Sequence, residues 1–275
     1  MYIGEELKLN NKKANFLVNV SAVLIVKNEQ EKILACLESI KGIGEIIIVV
    51  DEESSDDTEE ISRKYADIVV RHKWEGYSAQ KNFANSLATK DWILSIDADE
   101  RVSPQLKAEL ETVFHENDGI INGYWVPHLD FMFGAWIYHG GWTPQYHLRL
   151  FHRTRTQWSG DVHEFPVVEG QTARMKCPLL HFSHDSMEKF LGKLNHYTSI
   201  EGQRFDSFGW LQMSKMIFLP PIYFVYRYFY RLGFLDGMRG FILAVNMSFY
   251  RFSAIAKGWE YVNVKNSQKS NEDRV

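Results

Sequence analysis

Three carboxylates follow one apolar run of the sequence within four positions. The run, residues 92–96, is followed by Asp97, Ala98, Asp99 and Glu100, with no glycine or proline between them. If the run is a buried strand, Asp97 and Asp99 point to the same face, and the small Ala98 leaves room for a ligand. Two carboxylates arranged in this way suit Mg²⁺ or Mn²⁺ that also carries phosphate oxygens.

The same acids also have a purely structural explanation. They could form a polar strand end before a helix over 105–115, because Ser103 and Pro104 are typical of a helix start. A pair of aspartates with this spacing is common by chance. The elements around the pair therefore decide between the two interpretations.

Strand and helix patterns alternate along the chain before these acids. Apolar and β-branched runs predict strands over 20–26, 46–50, 67–70 and 91–96. Residues at helical spacing predict helices over 33–40, 56–65 and 78–88. Asp56 and Glu59 have the spacing of a capping box at the start of the second helix. Connections this short favour right-handed crossovers onto one parallel sheet, so we expect a doubly wound nucleotide-binding half.

Polar residues also follow the first two predicted strands. Lys27, Asn28 and Glu29 come after the first strand, and Asp51 and Glu52 come after the second. Ligands of such sheets bind beyond the carboxyl ends of the strands, so these clusters and the later acids predict one binding edge. The sequence has no G-x-G-x-x-G after the first strand and no G-K-[ST], which disfavours a dinucleotide dehydrogenase and a P-loop enzyme.

The composition indicates a large α/β unit in a reducing compartment. The 275 residues are 45% hydrophobic and 14% aromatic, which is enough for a sizeable core. The two cysteines provide neither a disulfide framework nor a paired zinc spacing, so we expect a cytoplasmic protein. Residues 1–15 lack the apolar segment of a secretion signal, and no run reaches the ~20 apolar residues that span a bilayer.

Aromatic residues crowd the middle of the chain, between positions 124 and 158. Flat aromatic walls suit sugar rings, but they serve as often as plain core. Strands are predicted over 148–151, 162–168 and 173–182, followed by a polar helix over 185–204.

The C-terminal part of the chain is basic, whereas the rest is acidic. Residues 211–275 contain nine Lys/Arg and four Asp/Glu, and residues 1–210 contain 22 and 31. Two apolar helical segments, 215–231 and 241–256, carry arginines and a Pro-Pro pair, which suit the headgroup layer of an anionic membrane better than a spanning helix. The alternatives are helices that pack on the catalytic domain or form a dimer contact.

The order of these motifs resembles the inverting family 2 glycosyltransferases with the GT-A fold, and is most similar to bacterial lipopolysaccharide-core β-1,4-glucosyltransferases. The resemblance covers about residues 20–260, with motifs at 26–29, 80–84, 97–101, 148–151, 162–164 and 180–183. It implies an α/β fold, a doubly wound mixed sheet with a C-terminal helical, amphipathic extension. The implied regions are an N-terminal extension (1–19), a nucleotide-binding half (20–101), an acceptor half (102–207), a membrane-associating or packing extension (208–262) and a flexible tail (263–275).

The resemblance also implies roles in binding the donor. Asp51, with Glu52, would contact the nucleotide base, and Lys81 would reach the base or the diphosphate. Asp97 would meet the ribose, and Asp99 would hold a Mg²⁺ or Mn²⁺ ion. The other residues assigned to the nucleotide-sugar site are Lys27, Asn28 and Glu29.

Two further residues receive roles from the same resemblance. Glu164 would be the general base that takes the proton of the acceptor hydroxyl, although it could be a surface glutamate in a strand. His181 would be a further metal ligand, although a lone histidine is often structural.

The predicted function is transfer of a hexose, expected to be glucose, from a UDP-sugar to a lipopolysaccharide-core or other envelope glycan. The expected partners are the UDP-sugar, a lipid-linked saccharide acceptor, the anionic cytoplasmic surface of the inner membrane and a second copy bound through the C-terminal helices, with no nucleic acid. One alternative is a sugar nucleotidyltransferase, which the lack of glycine at 27–30 disfavours. The other is a membrane-docked, non-catalytic sugar-binding protein.

Overall fold

The structure is a computed structural model and describes residues 17–116, 119–160, 164–184 and 186–272. The strands in these residues are β1 (Val20–Val26), β2 (Glu45–Asp51), β3 (Ile68–His72), β4 (Trp92–Ser95), β5 (Glu100–Val102), β6 (Ile121–Met132), β7 (Ala135–Ile137), β8 (Gln145–His152), β9 (Thr156–Ser159), β10 (Phe165–Val168), β11 (Gln171–Arg174) and β12 (Leu179–His184). The α-helices are α1 (Ile33–Ser39), α2 (Thr58–Ser62), α3 (Tyr77–Ser86), α4 (Pro104–Glu116), α5 (Met187–Gly202), α6 (Trp210–Val225) and α7 (Gly237–Glu272).

Ten strands form one mixed sheet in the order β3-β2-β1-β4-β8-β6-β12-β5, with β7 and β11 also paired to β6. The first four positions of this order are parallel, and β8 joins β4 as an antiparallel neighbour. β9 and β10 form a separate antiparallel pair. The predicted doubly wound arrangement of the first half is therefore confirmed.

The central strands are buried on both faces, which explains their continuous apolar sequences. Successive side chains of β2 enter different clusters, with Ile48 in one and Val49 in the other. The first cluster includes Leu37 of α1 and Leu106 of α4, and the second includes Ala84 of α3. Helices on both faces thus hold the strand ends, and the residues that follow them, in fixed positions.

Most predicted elements agree with the structure. The strands predicted over 20–26, 46–50, 67–70 and 91–96 correspond to β1, β2, β3 and β4. The segment 173–182 is divided into β11 and β12, and the strand predicted over 162–168 is described only from 164 onward. Ser103 Oγ accepts the Leu106 N–H at 3.1 Å, as expected at the start of α4.

The helix predicted over 56–65 is shorter in the structure, and the predicted capping box does not form. The helix α2 spans only Thr58–Ser62. Glu59 does not reach back to Asp56, because its carboxylate accepts hydrogen bonds from Arg63 and Arg71 at 2.6 Å. Asp56 instead accepts the backbone N–H of Gln30 at 3.0 Å. Tertiary partners therefore outweigh the local pattern here.

The described chain divides into two compact units. Unit 1 contains residues up to 128 and residues 145–181, and unit 2 contains residues 129–144 and 182 onward. In unit 2 the helix α5 groups with α6 and α7. α7 runs without interruption to Glu272, into the segment predicted as a flexible tail.

Unit 2 buries few of its large apolar side chains. Its core contains Met132, Ile137, Phe190, Leu194 and Leu243. The helix α6 has no buried residue at all. Within the described residues, no helix combines the length and apolar character required to cross a bilayer.

A buried polar cluster aligns the beginnings of β1 and β2 with the loop before β4. Glu45 is 7% exposed and accepts hydrogen bonds from Ser21 Oγ, from Thr89 N at 2.9 Å and from Thr89 Oγ1 at 2.8 Å. Burial opposes ionisation of Glu45, but these hydrogen bonds outweigh it and lower the pKa of the carboxyl.

We expect Glu45→Gln to lower the free energy of unfolding by about 1–3 kcal/mol near neutral pH, because a charged acceptor becomes a neutral amide. The folded-state pKa of Glu45 is depressed, so this contribution is present above the ordinary value of 4.5 and is lost as the pH falls through the folded value. The difference between wild type and variant in urea titrations should therefore shrink at acidic pH.

The control is Glu60→Gln. It removes an exposed carboxylate of α2 that pairs with Lys64, two residues after the end of that helix. This variant should unfold like the wild type near neutral pH. A difference between wild type and Glu45→Gln that stays constant with pH would contradict the assigned role of the ionised carboxylate.

Candidate active site

The acids after β4 lie in a tight turn, not in an extended segment. Glu100 N donates to Asp97 O at 3.0 Å, so the strand alternation expected for Asp97 and Asp99 does not apply. Arg101 fixes the turn, since its Nη1 donates to Ala98 O and its Nη2 to Lys32 O, both at 2.8 Å. The turn is thereby held against the beginning of α1.

Arg149 of β8 connects two of the acids. It is 7% exposed, and its Nη2 lies 2.7 Å from Asp97 Oδ2 and also contacts Glu100 Oε1. Glu100 is fully buried and accepts the Asp97 N–H at 2.9 Å. The antiparallel pairing of β4 with β8, with Leu94 opposite Leu150, brings this arginine to the turn.

The network sets the charges of these groups. Burial opposes ionisation of Asp97, but the charges of Arg149 and Lys81 outweigh it and hold its pKa far below the ordinary value. Burial raises the pKa of Glu100 to about 7. The Asp97 side chain is 39% exposed, so its ionised carboxylate is accessible to a ligand.

Asp99 lies beside a histidine of β12. Its Oδ2 is 3.6 Å from His181 Nε2, and both side chains are about one-fifth to one-quarter exposed, at 21% and 24%. Burial opposes ionisation of Asp99, but His181 outweighs it and lowers the pKa of the carboxyl. Behind His181 the ring of His128 lies 5.4 Å away, and His147 follows at 4.2 Å from His128.

Asp99 and His181 fit a divalent ion that is shared with a diphosphate. A carboxylate oxygen and an imidazole nitrogen are both ligands that Mn²⁺ accepts. Among the described residues, no group of three or more His, Cys, Asp or Glu side chains is arranged to hold a metal. The described residues therefore provide two ligands for such an ion, Asp99 and His181.

The ends of β1 and β2 are joined by hydrogen bonds through Asn28. This residue has a left-handed backbone with φ of 53°, which asparagine tolerates. Its N donates to Ser54 Oγ at 3.0 Å, and its Oδ1 accepts the Ser55 N–H at 2.8 Å. Glu29 N donates to Thr58 Oγ1 at 2.8 Å. The predicted polar clusters after the two strands are thus in contact.

Asp51, at the end of β2, has a free acceptor. It is 2% exposed, and its Oδ1 accepts the Glu53 N–H at 2.8 Å. Its Oδ2 is buried and accepts no hydrogen bond from the described residues, although Lys27 Nζ is 3.5 Å away. Glu52 is exposed, and its main chain pairs with β3 through His72 O at 3.2 Å. Buried acceptors are rarely left without donors, so Asp51 is suited to a ligand N–H.

Lys81 and Glu164 form an ion pair, although 83 positions separate them. Lys81 Nζ lies 3.1 Å from Glu164 Oε1 and 4.2 Å from the centroid of the Trp158 ring. Lys81 is 8% exposed, and the Glu164 side chain is 21% exposed. The positive charge of Lys81 also lowers the pKa of Asp97. Residues 161–163 of this motif lie outside the described residues.

Unit 1 contains all ten site residues predicted from the sequence. The sequence interpretation missed Arg149, His128 and Trp158. An arginine within the apolar run 148–151 was a usable signal, since a charge in a buried strand requires a partner. His128 and Trp158 gave no comparable signal, because histidines and tryptophans are common throughout this region.

Residues 21–169 match the family model described as Glycosyl transferase family 2. The lipopolysaccharide core biosynthesis glycosyltransferase LpsC of Rhizobium meliloti is 32% identical over 252 residues, covering 86% of this chain and 91% of LpsC. An uncharacterized glycosyltransferase of Rickettsia typhi is 30% identical over 263 residues, covering 86% of each chain.

A solved structure supports the same fold. The mannosyltransferase of Pyrobaculum calidifontis, in complex with GDP-Man and Mn²⁺, superposes with a TM-score of 0.54 at 14% identity, covering 88% of this chain and 87% of that one. The mixed α/β sheet is therefore of the GT-A type. From the family model and from relatives aligned over most of their length, we conclude that this chain belongs to glycosyl transferase family 2.

Proposed function

We propose that this glycosyltransferase moves a hexose, in the first place glucose, from a UDP-sugar to a lipid-linked lipopolysaccharide-core or similar envelope glycan. The name of the relative LpsC supports this class of acceptor. The observation that carries the proposal is the position of these residues in unit 1: Asp51 ends β2, Asp97 and Asp99 follow β4, and Lys81 pairs with Glu164 at 3.1 Å.

The donor would bind along the ends of β1, β2 and β4. Asp51 Oδ2 accepts no hydrogen bond from the described residues, with Lys27 Nζ 3.5 Å away, and would accept an N–H of the base. Asp97 is ionised, held by Arg149 and accessible, and would accept a ribose hydroxyl. Asn28 would act mainly by holding the loop after β1, because its side chain is already bonded to the loop after β2.

Asp99 and His181 would hold Mg²⁺ or Mn²⁺. When bound, the ion supplies positive charge that stabilises the leaving diphosphate. The related mannosyltransferase was solved with Mn²⁺, which supports the use of a divalent ion here. Lys81 adds a second positive charge toward the same edge, as its effect on Asp97 indicates.

Glu164 would remove the proton of the acceptor hydroxyl as that oxygen attacks the sugar from the face opposite the diphosphate, in a single displacement with inversion. Lys81 restricts the position of this carboxylate through the 3.1 Å contact. The partly exposed Glu164 can be reached by a large acceptor, which a fully buried carboxylate could not.

Membrane attachment at the cytoplasmic face is the second part of the proposal. Large apolar side chains of unit 2 are exposed, among them Trp210 (83%), Phe218 (62%), Ile222 (62%) and Tyr230 (76%). Exposed basic residues such as Lys215 and Arg231 lie among them. Apolar and basic side chains mixed in this way suit an anionic lipid surface. A second copy of the chain bound through these helices is the other candidate partner.

Asp99→Asn should abolish the metal-dependent part of donor binding. In thermal-shift assays, UDP-glucose with Mn²⁺ should raise the Tm of the wild type, because a ligand of the folded state adds about 2.7 kcal/mol at 100 times its Kd. The variant should lose the extra shift that Mn²⁺ provides. Asp91→Asn, at the opposite end of β4, is the matched control and should behave like the wild type. If no UDP-sugar raises the Tm of the wild type in the presence of Mn²⁺, the proposal is wrong.

Glu164→Gln should keep the UDP-sugar-dependent Tm shift but lower the rate of transfer by about 10²-fold or more, because the proton acceptor is lost. The measurement is transfer of labelled glucose to lipid-linked saccharides extracted from bacterial envelopes. Glu169→Gln is the matched control, since Glu169 lies at the other end of β10 with its side chain 78% exposed. Wild-type turnover in Glu164→Gln would remove the base assignment, and absence of turnover in the wild type would favour a non-catalytic protein.

A further inference from the structure

Three arginines of unit 2 gather beside a glycine pair. Gly140 and Gly141 have positive φ of 66° and 77°. A Cβ atom on Gly141 would lie 3.4 Å from Arg231 Nε and 3.8 Å from Arg227 Nη2, so the glycine leaves both guanidinium groups close to the backbone. The Arg251 guanidinium lies 4.9 Å from the centroid of a tyrosine ring that also contacts Arg227.

These arginines have no carboxylate partner among the described residues. Asp236 is the only acidic residue between positions 207 and 259, and His139 already occupies it through its N at 2.8 Å and its Nδ1 at 3.0 Å. The only side-chain acceptor that Arg227 finds there is the Tyr223 hydroxyl at 3.4 Å. No carboxylate of the described residues thus forms an ion pair with these arginines, although Glu201 binds the hydroxyl of Tyr250, whose ring lies 5.8 Å from the Arg251 guanidinium.

Arg227 is the most unusual member, because it is 7% exposed and its buried Nε has no hydrogen-bond partner among the described residues. The buried indole Nε1 of Trp142 also lacks a partner, and Arg227 lies 5.0 Å from the centroid of that ring. Burial lowers the pKa of Arg227, and the charges of Arg231 and Arg251 add to the effect. Buried charged groups and buried N–H donors are normally satisfied, so this cluster has the properties of a site for an anion.

The local backbone is also irregular. Arg227 lies in a π-helical turn, Tyr226–Tyr230, which follows α6 directly. Such turns are rare and are frequent at functional sites. The turn exposes Phe229 (55%) and Tyr230 (76%), and Leu232 after it has a left-handed φ of 58°. Exposed aromatic side chains therefore lie on the same segment as Arg227 and Arg231.

We propose that Arg227, Arg231 and Arg251 form a phosphate-binding site that takes the phosphate group of a membrane lipid. Guanidinium groups bind phosphate oxygens bidentately, and the free Trp142 N–H adds a neutral donor. The exposed apolar side chains on the same segment favour a lipid as the carrier of the phosphate over a soluble phosphate ester. The inference rests on the membrane attachment proposed above and names the chemical group that the membrane would present.

The test is co-sedimentation of the full chain with phosphatidylcholine vesicles, prepared with and without phosphatidic acid. Arg231→Lys keeps the charge but loses the bidentate geometry, so it should weaken binding to phosphatidic acid vesicles by about 10-fold or more. Lys215→Gln, the control, removes an exposed charge of α6 outside the cluster and should weaken binding by about 5-fold at most. Both variants should keep the wild-type Tm.

Wild-type binding by Arg231→Lys would overturn the site, while the membrane attachment would stand if the vesicles still bind. Phosphatidylcholine carries its phosphate as a choline diester without net charge, so binding to phosphatidic acid vesicles no tighter than to phosphatidylcholine alone would overturn the assignment of an anionic lipid phosphate. In that case a Tm shift by inorganic phosphate in the wild type, absent in Arg231→Lys, would identify a soluble phosphate instead. The UDP-glucose shift reports on the donor site of unit 1, so failure of the transferase proposal is detected separately.

Discussion

The buried contact of Arg149 with Asp97 and Glu100 is the interaction on which the site in unit 1 depends. Glu100 has no exposure, and a charge removed from water in this way is tolerated only with a close partner. The partner comes from β8, which the sheet places next to β4. This contact therefore joins the turn after β4 to β8 and, together with the hydrogen bonds of Arg101, holds the acids in place.

This contact also gives the three carboxylates different partners. Arg149 contacts both Asp97 and Glu100, and burial raises the pKa of Glu100 to about 7, so the turn does not accumulate three uncompensated negative charges. Asp99 has no arginine contact among the described ion pairs, and its partner there is His181, whose imidazole can itself bind a metal. Charge distribution at the turn thus supports Asp99 as the ligand of a cation and Asp97 as the acceptor of a hydroxyl.

The sequence allowed prediction of the strands that are buried on both faces. It did not allow prediction of contacts between residues that are distant in the chain. β1 to β4 were predictable because strands covered on both faces require continuous apolar runs. The turn at 97–100 was not, because Arg101 fixes it through Lys32, and no local pattern reports that contact. The contact of Lys81 with Glu164 spans 83 positions and depends on the complete sheet. The failed capping box at Glu59 has the same cause, since Arg71 comes from β3.

The two buried arginines of the described residues differ in their partners. Arg149 and Arg227 are each 7% exposed. Arg149 contacts two carboxylates, whereas Arg227 finds a tyrosine hydroxyl and aromatic rings among the described residues. The basic C-terminal part of the sequence indicated an anionic partner but could not locate it, because the π-helical turn determines which arginine is buried. Since a buried guanidinium without an acid is costly, Arg227 has among the described residues a binding capacity that the proposed phosphate would satisfy.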